Sequence, residues 1–244
     1  MSSLYLREDL GTADEGALVE LTGAEARHAV TVNRSRVGDD IRIGNGRGLI
    51  VTGVIETLEP GRVGVRATTV TVEQEQTPRL VLVQALAKGD RDEMAIQAAT
   101  ELGVSAVVPW AASRSVSRWE GQKKEKGRLR WETIVREASK QSIRSFVPPV
   151  SPIASTAELH RLASTTRMVL LDPTATERLS EIDAASDERD LVLVVGPEGG
   201  ISDAELDSLT SAGAVRARLG DTVLRTSSAG PAALAVLNVA LGRW

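Results

Sequence analysis

Five consecutive apolar residues, Leu191-Val-Leu-Val-Val195, run directly into Gly196-Pro-Glu-Gly-Gly200, and this join constrains the fold more than any other stretch. A continuous run rich in β-branched valine predicts a strand buried on both faces, as in the middle of a parallel sheet. The next five residues cannot extend it. Gly196 lets the backbone turn or approach a ligand closely, Pro197 stiffens the turn, and Gly199 and Gly200 permit positive φ. Ser202 and Glu205 then have the Ser-x-x-Glu spacing of a capping box, so a helix starts there. Backbone N–H groups gather where a buried strand opens through glycines onto a helix, and small ligands bind at such places in open α/β sheets. A plain turn has the same local sequence, so ligand binding and simple reversal both stay open on the loop alone. No Gly-Lys-Ser/Thr of a Walker loop follows, nor a Gly-x-Gly-x-x-Gly dinucleotide fingerprint.

Composition removes several function classes. The 244 residues contain no cysteine, which excludes disulfides, a thiolate metal site and a cysteine nucleophile. Two distant histidines, His28 and His160, make a histidine-rich metal site a poor expectation, and no metal is assigned. No stretch approaches a membrane span, and Met1-Ser-Ser-Leu-Tyr-Leu has no signal-peptide apolar region. A cytoplasmic protein without membrane association is expected.

Residues 1–73 read as short strands separated by glycine turns, with one short helix near Ala24–Val32. A small β-barrel is the natural packing. Arg27, Arg34, Arg36, Arg42 and Arg47 fall within it and form either an RNA-facing surface or a solvated face. The polar stretch Glu73–Pro78 reads as a linker. From residue 79 to 244 strands and helices alternate, with strands at Leu80–Ala85, Ala106–Pro109, Met168–Leu171, Leu191–Val195 and Val215–Leu219. This predicts an α/β domain with a mostly parallel sheet and helices on both faces. Asp90 and Glu93 fit a capping box, Met94, Ala98 and Leu102 share one helical face, and Gly103 fits a C-terminal cap. Residues 112–147 hold ten Lys or Arg against four Glu, a local charge of +6. Arg114, Arg118, Lys123, Lys124, Lys126, Arg128 and Arg130 precede a helix through Trp131, Ile134, Ala138 and Ile143, which carries Arg136, Glu137, Lys140, Gln141 and Arg144 on its other positions. In a chain of net charge −4 this concentration favours phosphate binding over an ordinary solvated face. Ser227 or Ser228 suits the cap of a last helix with Pro231 in its first turn. Only Asn238 is polar from Ala232 to Leu241, which predicts burial all round.

Three passages carry a family resemblance: Leu193-Val-Val-Gly-Pro-Glu-Gly-Gly-Ile201, Leu219-Gly-Asp-Thr-Val-Leu-Arg-Thr226, and Lys88-Gly-Asp-Arg-Asp-Glu-Met94 with Thr100-Glu-Leu-Gly-Val104. Together with Arg136-Glu-Ala-Ser-Lys-Gln-Ser-Ile-Arg144, and Arg27-His28 followed by Val37-Gly-Asp39, they resemble the RsmE family of 16S ribosomal RNA uridine N3-methyltransferases, in the SPOUT superfamily. The resemblance spans nearly the whole chain in the expected order. It implies a PUA-like RNA-binding barrel, then a SPOUT domain with a C-terminal trefoil knot, S-adenosylmethionine as cofactor, a homodimer, and the small ribosomal subunit as partner. Relatives often carry Thr-Glu-Thr-Ala after Leu-Arg. Thr226-Ser-Ser-Ala229 stands here instead, so no catalytic role is assigned to that position.

By resemblance the cofactor lies among three loops: Leu171 and Asp172; Gly196, Pro197, Glu198, Gly199, Gly200 and Ile201; and Leu219, Gly220, Leu224, Arg225 and Thr226. Apolar Ile201, Leu219 and Leu224 are expected to flank the adenine. Uridine N3 carries a proton and is a poor nucleophile at neutral pH, so the developing imide anion must be stabilised. Arg225 is the expected group for that, with a structural salt bridge as the competing role. Glu198 is expected as base or cofactor-positioning group, against a plain loop carboxylate at a helix N-terminus. Arg27, Arg34, Arg36, Lys88, Arg114, Arg118, Arg136, Gln141 and Arg144 are the expected RNA contacts, gripping phosphate or exposing the target base. Two readings compete with this one: the same fold acting on another RNA position, and a non-catalytic RNA-binding ribosome-assembly factor.

Overall fold

The computed structural model describes residues 4–244; Met1–Ser3, at the head of the expected barrel, lie outside the described residues. The chain divides into two units. One is the chain up to Glu75 together with Ser139–Val147; the other is Gln76–Ala138 together with Pro148–Trp244.

The first unit contains β1 (Leu4–Leu6), β2 (Leu18–Thr22), α1 (Gly23–Arg27), β3 (Asp40–Gly44), β4 (Leu49–Glu59) and β5 (Arg62–Val72). Its sheet has the order β1-β3-β4-β5-β2, with β1 parallel to β3 and every other pair antiparallel. Period-two alternation buries Val19 and Leu21 on β2, Ile41 and Ile43 on β3, and Val63, Val65 and Ala67 on β5. Tyr5 and Leu21, on opposite edge strands, share one core with Val51 and Ile55, so the sheet coils on itself as a small barrel does. The single helix expected near Ala24–Val32 is α1 followed by a π-helical turn, His28–Val32. Lys140 does not stand on an outer helical face as expected. It is buried in this unit, its Nζ 3.1 Å from Glu25 Oε1, because a carboxylate 115 residues earlier neutralises it.

The second unit contains β6 (Leu80–Ala85), α2 (Arg91–Glu101), β7 (Ala106–Trp110), most of α3 (Gln122–Gln141), α4 (Thr156–Ala163), β8 (Arg167–Leu171), β9 (Leu191–Val195), α5 (Asp203–Ser211), β10 (Val215–Ala217) and α6 (Thr226–Ala240). Its sheet is wholly parallel, in the order β10-β8-β9-β6-β7. Every residue of β9 is buried, as its uninterrupted apolar run requires, and so is every residue of β6 beside it. Each such Val or Leu contributes about 1.5–3 kcal/mol of burial.

Three helices depart from the sequence expectation. Asp90 precedes α2 with φ 58° and caps nothing. Asp92 turns inward instead, its Oδ2 accepting the Ala87 N–H at 3.0 Å. That rotation buries Ala95, Ile96 and Ala99 and leaves Met94 60% exposed, so the predicted apolar face is displaced. Gly103 does end the helix, at φ 90°, with Val104 N–H donating to Ala99. Helix α3 starts at Gln122, ahead of Trp131, because Arg128 pairs with both Glu125 and Glu132 along its polar first half. It stops before Ile143, which has φ 56°. Helix α6 is capped from Arg225, neither Ser227 nor Ser228 being the cap, and Pro231 falls beyond its first turn. It is not buried all round. Ala233, Leu234 and Leu237 face inward, while Val239 is 63% exposed. No helix among the described residues is long and apolar enough to cross a membrane.

Candidate functional site

The loop between β9 and α5 is built from its own sequence. A Cβ on Gly196 would sit 2.8 Å from Ile201 Cγ1 and 3.0 Å from the Ile201 nitrogen, so glycine is needed there for close approach. Gly200 has φ 72° and its N–H donates to the Pro197 carbonyl at 2.9 Å. Positive φ is required at Gly200 but not at Gly199. The predicted capping box forms: Ser202 Oγ accepts from the Glu205 N–H, and the Glu205 carboxylate accepts from the Ser202 N–H.

Where β8, β9 and β10 end, their three following loops enclose a cavity of about 540 Å³. Leu171, Asp172, Gly196, Pro197, Glu198, Gly200, Ile201, Leu219, Gly220, Leu224, Arg225 and Thr226 all line it. Gly199 alone of the expected cofactor residues does not; it packs against Arg114. The carboxyl ends of parallel strands are where open α/β sheets hold ligands. Apolar walls come from Leu171, Val195, Ile201, Leu206, Leu219 and Leu224. Among the described residues, no backbone N–H from Leu219 to Leu224 donates to another backbone carbonyl. Apolar walls beside main-chain donors not taken up by backbone carbonyls among the described residues suit a nucleoside, and the volume falls in the range of small-molecule sites.

The charged side chains at this cavity fall into two groups. Asp172 and Glu198 are engaged. Asp172 accepts from the Thr174 N–H and hydroxyl, both at 2.9 Å, and from Arg216 Nε at 2.7 Å. Burial alone raises its carboxyl, but these bonds outweigh burial and hold it below its ordinary value. Glu198 Oε1 accepts from the Lys88 N–H at 3.0 Å and from Arg91 Nη1 at 2.8 Å. Here too burial opposes and the hydrogen bonds win, so its carboxyl lies below the ordinary glutamate value. Arg225, exposed and next to α6, makes no side-chain hydrogen bond or ion pair among the described residues. Thr226 is buried. Its hydroxyl donates to the Gly196 carbonyl at 2.8 Å and accepts from Gln84 Nε2 at 2.9 Å, tying the start of α6 to the glycine loop.

Sequence reasoning missed a second tie. Buried Glu205, besides its capping role, accepts from the Ser113 N–H and hydroxyl, both at 2.8 Å, and from Thr156 Oγ1 at 3.1 Å. Arg114 next to it donates to the carbonyls of Gly199 and Ile201, both at 3.2 Å. The Ser202-x-x-Glu205 spacing signalled a helix start, but nothing local signals partners ninety residues away. Burial pushes the Glu205 carboxyl up, and the Ser202 and Ser113 bonds bring it to a net value below the usual one. A depressed folded pKa contributes stability that is present above the unfolded value and lost as pH falls through the folded one. Glu205→Gln is therefore expected to cost about 1–3 kcal/mol at neutral pH. Thermal melts of both proteins are expected to converge as pH falls through about 4.3 and below; a gap that stays constant with pH would contradict this.

The expected RNA contacts fall in both units. Arg27, Arg34, Arg36, Gln141 and Arg144 belong to the first; Lys88, Arg114, Arg118 and Arg136 belong to the second. Arg27, Arg34, Arg36, Lys88, Arg114, Arg118 and Gln141 are exposed, and Arg136 is half-buried with Glu137 3.1 Å away. Arg144 is half-buried, and burial, partly offset by Glu75, pushes its guanidinium down to about 10, still charged at neutral pH.

Comparison with known proteins agrees with this geometry. Residues 74–238 match the model of the RNA methyltransferase domain, and residues 21–66 that of the RNA methyltransferase PUA domain. The chain is 43% identical to the Ribosomal RNA small subunit methyltransferase E of Mycobacterium tuberculosis, over 95% of this chain and 90% of that protein. The crystal structure of a Ribosomal RNA small subunit methyltransferase E from Neisseria gonorrhoeae bound to S-adenosyl methionine matches with TM-score 0.86 and 28% identity, over 98% of each chain. A putative methyltransferase from Legionella pneumophila, in complex with bound SAM, matches with TM-score 0.86 and 29% identity, over 98% of each chain.

Proposed function

The chain belongs to the RNA methyltransferase family, and from that premise we propose that it methylates N3 of a uridine in 16S rRNA of the small ribosomal subunit, using S-adenosylmethionine. The observation that carries this reading is the cavity at the ends of β8, β9 and β10, where the expected loops meet with an arginine on the wall that has no side-chain partner among the described residues.

The fit to the cofactor rests on the chain's own groups. Ile201, Leu219 and Leu224 would flank the adenine, the main chain of Leu219–Leu224 would meet its polar edge, and Asp203 offers a countercharge to a cationic ligand. When bound, S-adenosylmethionine supplies an electrophilic methyl group. The chain must then align uridine N3 with it, and proximity of this kind is worth up to about 7–11 kcal/mol. Arg225 stabilises the negative charge that develops on the uracil carbonyls as the N3 proton passes to solvent water. Glu198 is assigned a positioning role rather than that of base. Its carboxylate is already engaged with Arg91 and the Lys88 N–H, and its depressed pKa makes it a weak proton acceptor.

A trefoil knot and a homodimer complete the reading. For the knot, support comes from the chain leaving β10. The Arg218 N–H donates to the Glu177 carbonyl and the Arg218 carbonyl accepts the Leu179 N–H, both at 2.9 Å, so this segment runs along the β8–β9 connection before α6 begins. For the dimer, support comes from exposed Met94 on α2 and Val239 on α6, two helices that pack together.

The test is methyl transfer to small ribosomal subunits isolated from cells lacking this modification, read by nucleoside mass spectrometry. N3-methyluridine is the expected product. A different methylated nucleoside would overturn the target, and absence of both transfer and cofactor binding would leave an RNA-binding assembly factor as the better reading.

A further inference from the structure

The loop that follows β7 faces three cavities, one of which, of about 420 Å³, is lined by its Val116, Ser117 and Trp119 together with Asp92 of α2 and Trp131 of α3. Arg114 lines the cavity at the ends of β8, β9 and β10; Ser115, Arg118 and Trp119 line the third, of about 360 Å³, with Leu86 and Ile153 among its apolar walls. Trp119 is held as a rigid plate. Gly127 of α3 passes so close beneath its indole that a Cβ there would lie 2.3 Å from Trp119 Cε2. Trp131, fully buried, meets it edge-on at 75° with ring centroids 5.2 Å apart. Arg118 and Lys124 stand exposed at the same cavity, and neither side chain makes a hydrogen bond or ion pair among the described residues, although the Lys124 charge is felt by Glu158, whose carboxyl its own bonds to Ser155 chiefly lower. Ser115 is 4% exposed, and its hydroxyl has no hydrogen-bond partner among them. Of the two carboxylates on the wall, Glu120 and Glu158, the second is committed to Ser155, accepting its N–H and hydroxyl at 2.7 Å each.

This combination selects a ligand class. A phosphate alone has no use for the indole, and a purely apolar ligand has none for two cations. A nucleotide uses both: the base stacks on the aromatic plate, and the cations take its phosphates. A serine hydroxyl both donates and accepts, so it can meet any base edge. Since one loop carries Arg114 to the cofactor cavity and Trp119 to this one, a single RNA strand can engage both. Resting on the RNA methyltransferase reading, we propose that this cavity is a second base subsite, in which Trp119 stacks a nucleotide flanking the uridine to be methylated and Arg118 and Lys124 hold its phosphates.

Stacking of this kind predicts that Trp119→Ala raises KM for small ribosomal subunits about 10-fold or more, with kcat and the cofactor Kd little changed. Trp119→Phe, which keeps an aromatic face, is expected to recover most of the loss. Because Trp119 also packs on Trp131, a binding readout on the wild type accompanies the variants: a single-stranded RNA hexamer spanning the target is expected to quench tryptophan emission, and the quench to vanish in Trp119→Phe. Adenosine 5′-monophosphate is expected to quench far less at equal concentration; an equal quench would assign the cavity to free nucleotides and overturn the RNA subsite. Wild-type KM in Trp119→Ala, or a hexamer quench that persists in Trp119→Phe, would also overturn it while leaving the methyltransferase reading intact. That reading fails separately, if the wild-type protein transfers no methyl group and binds no cofactor.

Discussion

Arg225→Ala is expected to lower kcat for uridine methylation by about 10²–10³-fold while leaving the cofactor Kd within about threefold of wild type. The side chain is free to act. Its guanidinium lines the cavity and has no partner among the described residues, which argues against the structural salt bridge weighed from sequence. Its main chain is secured without it, since the Arg225 carbonyl accepts the N–H groups of Ser228 and Ala229 at 2.8 and 3.0 Å. Truncation should therefore leave the start of α6 in place and remove only a cation. A unit charge about 4 Å away is worth about 4 kcal/mol at an effective dielectric of about 20, comparable to the loss of one oxyanion donor. Arg225→Lys keeps the charge but not the planar fork, so partial recovery is expected. If the residue stabilises the imide anion, the deficit should also shrink as pH rises and more of the uridine is already ionised. A kcat within threefold of wild type in Arg225→Ala, or a deficit indifferent to pH, would remove Arg225 from the chemistry.

The parts of the molecule legible in sequence are those governed by short-range rules. Leu191–Val195 announces a doubly buried strand because no polar residue interrupts it, and it is one. Ser202 and Glu205 announce a helix start because the capping box closes over three residues. Gly103 ends α2 because the left-handed turn costs glycine little. One misreading involves a partner far along the chain, and another a side chain within its own helix that turned inward. Lys140 reads from sequence as part of a phosphate-facing basic run, but Glu25 supplies it with a buried countercharge. Met94 looked apolar-facing until Asp92 turned inward toward Ala87 and set the rotation of α2. The cavity itself lay between these cases. Its three loops were located through family resemblance, but the cross-ties that hold them, Thr226 to Gly196 and Glu205 to Ser113, join residues 30 and 92 positions apart and have no local signature.

Those cross-ties make Gly196→Ala the second substitution with a large expected effect. A methyl group there meets Ile201 Cγ1 at 2.8 Å, the Ile201 nitrogen at 3.0 Å and the Gly200 carbonyl carbon at 3.1 Å. Two of those three atoms are backbone, so a rotamer change at Ile201 relieves only part of the clash and the loop must move. The loop has little room to do so. Thr226 holds the Gly196 carbonyl, Arg114 holds the carbonyls of Gly199 and Ile201, and the Ser202–Glu205 cap fixes the next residues. Overpacking of this kind costs about 1–3 kcal/mol. Because the strained segment forms the cavity wall, the cost is expected in cofactor affinity as well as stability. A rise of about 10- to 100-fold in Kd by calorimetry corresponds to about 1.4–2.8 kcal/mol. Gly220→Ala is the matched control for folding: that glycine lines the same cavity, but a Cβ on it meets nothing within 4 Å. Its Tm is expected to stay at the wild-type value while that of Gly196→Ala falls by several degrees. Equal Tm values for the two variants, with wild-type cofactor affinity in Gly196→Ala, would mean that the loop yields without strain and that the cavity does not depend on the bare backbone at Gly196.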